Sequence, residues 1–537
     1  MWQAVLTAVT NATLVDWALL LSGLLLLVYI AGTWNYDYFR KQGIASTQPK
    51  WPFLGDNSSA FLGLQSFQDL IRDSYNDGDG HAVYGMFEFT KPTFMIRDPE
   101  LLKIVAVKEF DFFMNHRTIQ SEKADPVFGR NLINLKDQPW RDMRATLSPA
   151  FTTSKMKAMF PLISDCADRM AQHLRQEYLK SPEGAQQKPL PTDMKNLFSR
   201  MATDVIATAA FGVSCDSLKQ PDNEFYEMGK ALTTFNAKGI LKFLGFMLVP
   251  KLMEVLKMRV LDAKATEFFD TLVHSTIKER QQKGIFRPDM LQLLMQAREG
   301  QLKAEKEDAE EAEEVGAKKT ILSDEDLSAQ AVIFFFAGFE TVSIAICLTA
   351  HLLSHHEDVQ NRLYAEVAEM MEETGGKPTY ESLQGMKYLD AVLNETLRLY
   401  PPAVGTDRVC QEDVLLPAGA RSGPTLVRKG TPISIPITGL HYDPEFWTDP
   451  EKFDPERFSD ENKHNIKPFT YMPFGVGPRV CIGQRFALVE VKLALVHLLA
   501  NFELHPCSKT KHPLEFEPSF NLSVKGGFWC GIKPRET

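Results

Sequence analysis

An uncharged, almost wholly apolar run, WALLLSGLLLLVYIAGTW from Trp17 to Trp34, stands near the start of the chain. As a helix it measures roughly 27 Å, enough to cross a thin bilayer such as that of the endoplasmic reticulum. Trp17 and Trp34 fall at its two ends, where indole rings anchor a span at the membrane interface. No Lys or Arg precedes it, and no small-x-small cleavage signal stands out after it, so it reads as a retained anchor and not as a cleaved signal peptide. Arg40, Lys41 and Lys50 follow the span, and the positive-inside rule then places everything C-terminal to it in the cytosol. Asn11-Ala12-Thr13 is a glycosylation sequon on the opposite, lumenal side.

Beyond an anchor of residues 1–35, Gln48 to Phe53 reads as a stiff, extended connector because of its two prolines. From Ala82 to Ile96 apolar and polar positions partly alternate around Lys91-Pro92, which predicts strands of a small sheet, and similar runs recur at 404–440 and near the C-terminus. Most of the rest carries helical periodicity. A helix start is signalled at Ser323, with Asp326 three residues on as an imperfect capping box, and the apolar period runs to about His355. Such a helix is about 48 Å long, enough to cross a globule. Residues 303–319, charged and Ala-rich, read as an exposed linker. The fold class expected is mainly α with small β-sheets and one N-terminal transmembrane helix.

Of the 537 residues, 44% are hydrophobic, ample for a large core. The net charge of −10, with no long basic run, excludes nucleic acid as a partner, because phosphate neutralisation needs clustered Lys and Arg. The seven cysteines, at 166, 215, 347, 410, 481, 507 and 530, are scattered, odd in number and without a C-x-x-C pair, which fits a reducing compartment.

One of them differs in its surroundings. Cys481 lies in Phe474-Gly475-Val476-Gly477-Pro478-Arg479-Val480-Cys481-Ile482-Gly483, directly before an amphipathic helical stretch. The glycines let the backbone turn tightly and approach a flat ligand, and Pro478 stiffens the loop. Backbone N–H groups aimed at the sulfur favour thiolate over thiol and tune a bound iron. Arg479 offers a fork of donors to a carboxylate on the same ligand. This F-x-x-G-x-R-x-C-x-G pattern resembles the haem-binding loop of the cytochrome P-450 family, and three further motifs occur in the family's order. The sequence is most similar in texture to insect microsomal members of the detoxification type.

The resemblance implies the cytochrome P-450 fold, a single haem-thiolate monooxygenase domain over 36–537, haem b (iron protoporphyrin IX) held by Cys481, and NADPH used indirectly. No nicotinamide or flavin fingerprint is visible, so electrons come from a separate NADPH-cytochrome reductase, with cytochrome b5 as an optional second donor. Ala337-Gly338-Phe339-Glu340-Thr341 resembles the family's signature on the distal side of the haem. The Thr341 hydroxyl can bond back to the Ala337 carbonyl and open a notch in the helix, while Glu340 helps relay protons; Thr341 and Glu340 are thus the catalytic candidates.

Glu395, Arg398 and Arg457 match the family's charged triad behind the cysteine loop, with a structural role. Trp140 and Arg144, at i and i+4, match its W-x-x-x-R element, and with Arg408 and Arg479 they are expected to clamp the haem propionates. His116 is a further candidate, with neighbouring Arg117 as its alternative.

Phe110, Phe112, Phe113, Phe334, Phe335 and Phe336 fall in segments that line the family's distal pocket, and collectively they suggest a large apolar site for a lipophilic small molecule. No single Phe is given a substrate role, since aromatic residues are more often plain core. Met228 to Met253, with four lysines, no acid and many large apolar residues, reads either as a membrane-surface segment or as a buried helix pair with exposed lysines. Residues 462–489 carry Lys463, Lys467, Arg479 and Arg485 and no acid, so a locally positive face is expected for the electron donor. A biosynthetic hydroxylase of an endogenous hormone or fatty acid, and a non-catalytic haem protein, remain open alternatives at this level.

Overall fold

The computed structural model describes residues 13–49, 51–118, 122–234, 237–301, 321–419, 421–519 and 522–536. The sequon at Asn11, Lys50 and the charged segment 303–319 lie outside them.

The apolar run forms helix α1, Leu14–Thr33, which begins three residues before the expected start. Thr13 and Asp16 make a reciprocal capping box there, satisfying the first free N–H groups. All its large apolar side chains face outward and its mean hydropathy is 2.2, the signature of a helix made for lipid. The segment after it is not the extended connector expected. Residues 52–54 turn, and Phe53 N–H donates to the Gly32 carbonyl at 3.1 Å, folding the chain back onto the end of α1. Gly32 permits this, because a Cβ there would sit 2.5 Å from the Pro52 Cβ.

The other helices that position the site are α2 (Asp137–Leu147), α3 (Thr153–Lys180), α4 (Met194–Ile206), α5 (Ala237–Leu248), α6 (Asp324–His355), α7 (Lys387–Leu399) and α8 (Gln484–Asn501). The strands are β1 (Val83–Glu88), β2 (Lys91–Ile96), β3 (Leu190–Asp193), β4 (Thr406–Val409), β5 (Val414–Leu416), β6 (Thr425–Val427), β7 (Pro432–Ile435), β8 (Phe502–His505) and β9 (Trp529–Pro534). They form a four-stranded sheet in the order β1-β2-β7-β4, a three-stranded sheet β3-β9-β8 and the hairpin β5-β6. The turn between β1 and β2 falls at Phe89-Thr90, ahead of Lys91-Pro92, and Pro92 sits inside β2 opposite Phe87. Strand β3, short and partly exposed, carries no alternation that marks it in the sequence; its pairing with β9, Leu190 opposite Ile532, creates it.

Helix α6 organises the molecule. Its N-cap is Ser323 with a complete capping box to Asp326, and it runs 32 residues. Although long and apolar enough to cross a membrane, it is two-thirds buried and so is a core helix. Its first half, through Leu327, Ile333, Phe335 and Phe339, packs in one apolar cluster. Its second half, from Val342 through Leu353, packs in another with α3, α4, α7 and α8. Glu340 and Thr341 occupy the seam between the two.

Candidate active site

The cysteine loop is built by two glycines with left-handed backbone, Gly475 (φ 78°) and Gly477 (φ 70°). At Gly477 a Cβ would lie 2.0 Å from the Ala106 carbonyl oxygen, so the loop and the segment after β2 touch backbone to backbone. Cys481 N–H donates to the Phe474 carbonyl at 2.9 Å, which closes the loop beneath the sulfur. Ile482 and Phe486, just beyond, pack against the apolar cluster to which Phe335 and Phe339 of α6 also belong.

The Cys481 side chain is accessible, whereas Cys166, Cys215, Cys347, Cys410 and Cys530 are buried; all seven thiols are free. The sulfur is nevertheless set deep among protein atoms, and this burial pushes its thiol up. A hydrogen bond from the Gly483 backbone and the nearby charge of Arg144 act the other way. This is a thiol arranged to ionise when a cation binds it.

Beside it lies a cluster of guanidinium groups. Arg479 donates to the Met114, Leu132 and Leu135 carbonyls at 2.9, 3.3 and 3.0 Å, and its guanidinium carbon stands 3.9 Å from the Trp140 ring centre. Arg408, 1% exposed, donates to the Asp407 and Val476 carbonyls, and its buried Nε has no acceptor among the described residues. Burial, with Arg408 and Arg144 beside it, pushes Arg479 well below its usual range, and burial does the same to Arg408. Four of the residues expected at a propionate clamp are therefore together: Trp140 and Arg144 from α2, Arg408 from β4 and Arg479 from the cysteine loop.

His116 adjoins them, its Nδ1 within 3.0 Å of the Asp407 carbonyl and 3.2 Å of the carboxylate. Both partners are acceptors, so Nδ1 carries the proton. Its Nε2 then meets a carboxylate favourably only as imidazolium, and burial, with Arg408 and Arg479 also near, pushes the ring's pKa down. Arg117, the alternative to His116, is engaged by Asp407 at 3.0 Å and by Glu88. Burial opposes ionisation of Asp407, but Arg117 and His116 outweigh it and hold the carboxyl low. Asp407 is thus an anion built into the edge of the cationic cluster, and no motif in the sequence singles it out.

On α6, Thr341 Oγ1 donates to the Ala337 carbonyl at 2.7 Å, as the sequence suggested. Glu340 pairs with Lys195 Nζ of α4 at 2.9 Å, and the same ammonium donates to Ser343 Oγ at 2.8 Å. Behind the loop, Glu395 accepts from Arg398 at 2.7 and 2.8 Å and from Arg457 Nε at 3.3 Å; Glu395 and Arg398 are fully buried. His441 extends the triad. Its Nδ1 lies 3.0 Å from the Arg398 carbonyl, and its Nε2 accepts from Met472 N–H at 2.9 Å, two residues before Phe474. The ring is a neutral spacer between triad and cysteine loop, and burial pushes it down to about 3.

A sequence model of the family described as Cytochrome P450 matches residues 49–530. The chain is a cytochrome P450. Cytochrome P450 9e2 of Blattella germanica is 49% identical over 97% of this chain and 98% of its own length. Probable cytochrome P450 9f2 of Drosophila melanogaster is 42% identical over 93% and 96%. Cytochrome P450 3A31 of Mesocricetus auratus is 37% identical over 98% and 97%. The chain thus sits among insect cytochromes P450. P450 enzymes are haem-thiolate monooxygenases that use haem b and NADPH-derived electrons delivered through a reductase. The residues present fit that group, since a deep-set thiol beside three guanidiniums, one with an orphaned donor, matches a metalloporphyrin carrying two carboxylates.

The face expected to meet the electron donor is less simple than its sequence window. Asp460, two residues outside the window, binds Lys463 at 2.7 Å and Lys387 at 2.5 Å. Lys467 lies 4.9 Å from the Phe446 ring centre, and Arg485 donates to the Phe151 carbonyl at 3.4 Å. The free positive charge expected at Lys463 is shared with Asp460. The Phe residues divide as well: Phe335 is fully buried in an aromatic cluster with Phe211, Phe225 and Phe269, which makes it core.

Proposed function

We propose that this P450 inserts one atom of dioxygen into lipophilic xenobiotics such as insecticides or plant compounds, with electrons from a membrane-bound NADPH-cytochrome reductase. The observation that carries the reading is the meeting of the Cys481 loop with the Arg144, Arg408 and Arg479 cluster. Residues 1–35 anchor the protein in the endoplasmic reticulum, and 36–537 form a catalytic domain facing the cytosol. The exposed Leu241, Val249, Leu252, Val255 and Leu256, on and just after α5, support a second apolar contact with the same membrane.

Haem, when bound, supplies oxygen activation and transfer to the substrate. Cys481 would ligate it as the thiolate that the Gly483 N–H and Arg144 favour. Trp140, Arg144, Arg408 and Arg479 would hold its carboxylates, while His116, neutral and with its proton turned to Asp407, would stay out of the clamp. On α6, the Ala337 carbonyl draws the Thr341 hydroxyl into the helix, and Thr341 would deliver a proton once that bond is exchanged for one to the reacting site. Lys195 holds Glu340 at the seam, poised to resupply Thr341 through water. The overall reaction consumes NADPH, a proton and dioxygen and gives hydroxylated product, NADP⁺ and water. Reconstitution with purified reductase tests it: product must form in proportion to NADPH when lipophilic compounds are added. Haem binding without substrate-dependent product would overturn the proposal.

A further inference from the structure

The last turn of α6 carries two histidines on one face, His351 and His355, at i and i+4. A third, His512, comes from the C-terminal segment that crosses the helix end. One ring nitrogen from each lies within 4.8 Å of the others. The rings of His351 and His355 are 4.4 Å apart between centres, and those of His355 and His512 are 4.3 Å apart. We infer that these three imidazoles form a zinc site, distinct from the haem centre, that clamps the C-terminal segment to the long helix.

Several features converge. His351 is 6% exposed, and its Nε2 is buried with no hydrogen-bond partner among the described residues, a cost that a metal bond removes. His355 Nδ1 lies 2.9 Å from the His351 carbonyl and so carries the proton, which leaves Nε2 as a lone pair. That same bond orients the ring, as the outer partner of a metal-ligating histidine does. The site sits at the negative end of a 32-residue helix, where the macrodipole favours a cation.

A three-imidazole set without thiolate suits zinc among the abundant divalent ions, with the fourth position left to water. Zinc–nitrogen bonds of about 2.0–2.1 Å bring tetrahedral ligand atoms to about 3.3 Å of one another. The required closure is small, and the exposed His512 can supply it. Just beyond His512, Leu514 and Phe516 pack on the main core, and Phe516 stands 5.7 Å from Tyr400, so fixing His512 fixes a segment that already reaches inward.

The test uses untagged, haem-loaded full-length protein, titrated with zinc against a chromophoric chelator, with metal content measured after dialysis. One zinc per chain is expected, in addition to the haem iron, with Kd of about 1 µM or tighter. His512→Gln and His355→Gln should each weaken binding at least tenfold, the lower bound for loss of even an outer partner. Zinc should raise the melting temperature of the wild type and leave that of His512→Gln unmoved. The carbon-monoxide spectrum of the reduced haem should stay the same in all forms. No zinc bound at 10 µM in the wild type, or a loss below tenfold in His512→Gln, an exposed position where folding is not at stake, overturns the site.

Discussion

The Thr341 hydroxyl is committed to the Ala337 carbonyl, so its removal leaves the helix in place and deletes a proton donor. Thr341→Ala should retain haem and substrate binding and continue to consume NADPH, while the ratio of hydrogen peroxide to hydroxylated product rises several-fold. An unchanged ratio would take Thr341 out of the proton path. Cys481→Ala should lose both haem and turnover, and Cys481→His should lose the red-shifted carbon-monoxide band of thiolate-ligated iron even if haem stays; persistence of that band would mean another cysteine is the ligand. His441 gives a pH dependence. Its folded pKa of about 3 lies below the ordinary value of 6.5, so the unfolded chain takes up a proton between those values and the folded one does not. The stability it confers is complete above pH 6.5 and falls about tenfold in the folding constant per pH unit from there toward pH 3. Acid loss of the carbon-monoxide band should be shallower over that range in His441→Asn, at the cost of lower stability at pH 7.5.

Element by element, what was legible in the sequence was what is decided locally. The apolar run and its Thr13 cap make α1, and Ser323, Asp326 and the period that follows make α6. The cysteine loop was readable because tight turning, a ligand and a carboxylate-binding fork must all be met within ten residues. What could not be read depends on partners distant in the chain: Lys195 finds Glu340, Asp407 finds Arg117 and His116, and Pro52 finds the bare face of Gly32. The two loop glycines separate these causes. Gly477→Ala drives a Cβ into the Ala106 carbonyl, so the loop must move and haem content should collapse. Gly475 meets nothing closer than 3.9 Å, so Gly475→Ala bears only the left-handed backbone cost of about 1–2 kcal/mol. Equal haem occupancy in the two variants, by pyridine haemochrome, would show that the approach to Ala106 does not matter. The triad belongs at this scale too, since Glu395→Ala strands two guanidiniums and should cost roughly 3–5 kcal/mol in thermal unfolding.

At the scale of the whole molecule, the anchor's orientation is tested by protease added to sealed microsomes, which should digest the catalytic domain; full protection would reverse it. Donor docking should depend on the Lys387–Asp460–Lys463 bridge, whose net charge is positive. Reversing both lysines to Glu should slow first-electron transfer at low salt, with the deficit shrinking as the Debye length falls from about 10 Å at 0.1 M. An unchanged stopped-flow rate would place the reductase elsewhere. The guanidinium cluster reaches further than catalysis. Arg144, Arg408 and Arg479 converge from α2, β4 and the cysteine loop, and the charges of Arg408 and Arg144 both bear on the buried Arg479, so a chain synthesised in a haem-starved cell should be the less stable for their mutual repulsion. Supply of the porphyrin precursor, more than transcript level, should then set how much of this enzyme survives quality control, and a cell short of it would degrade the chain before the chain could be used.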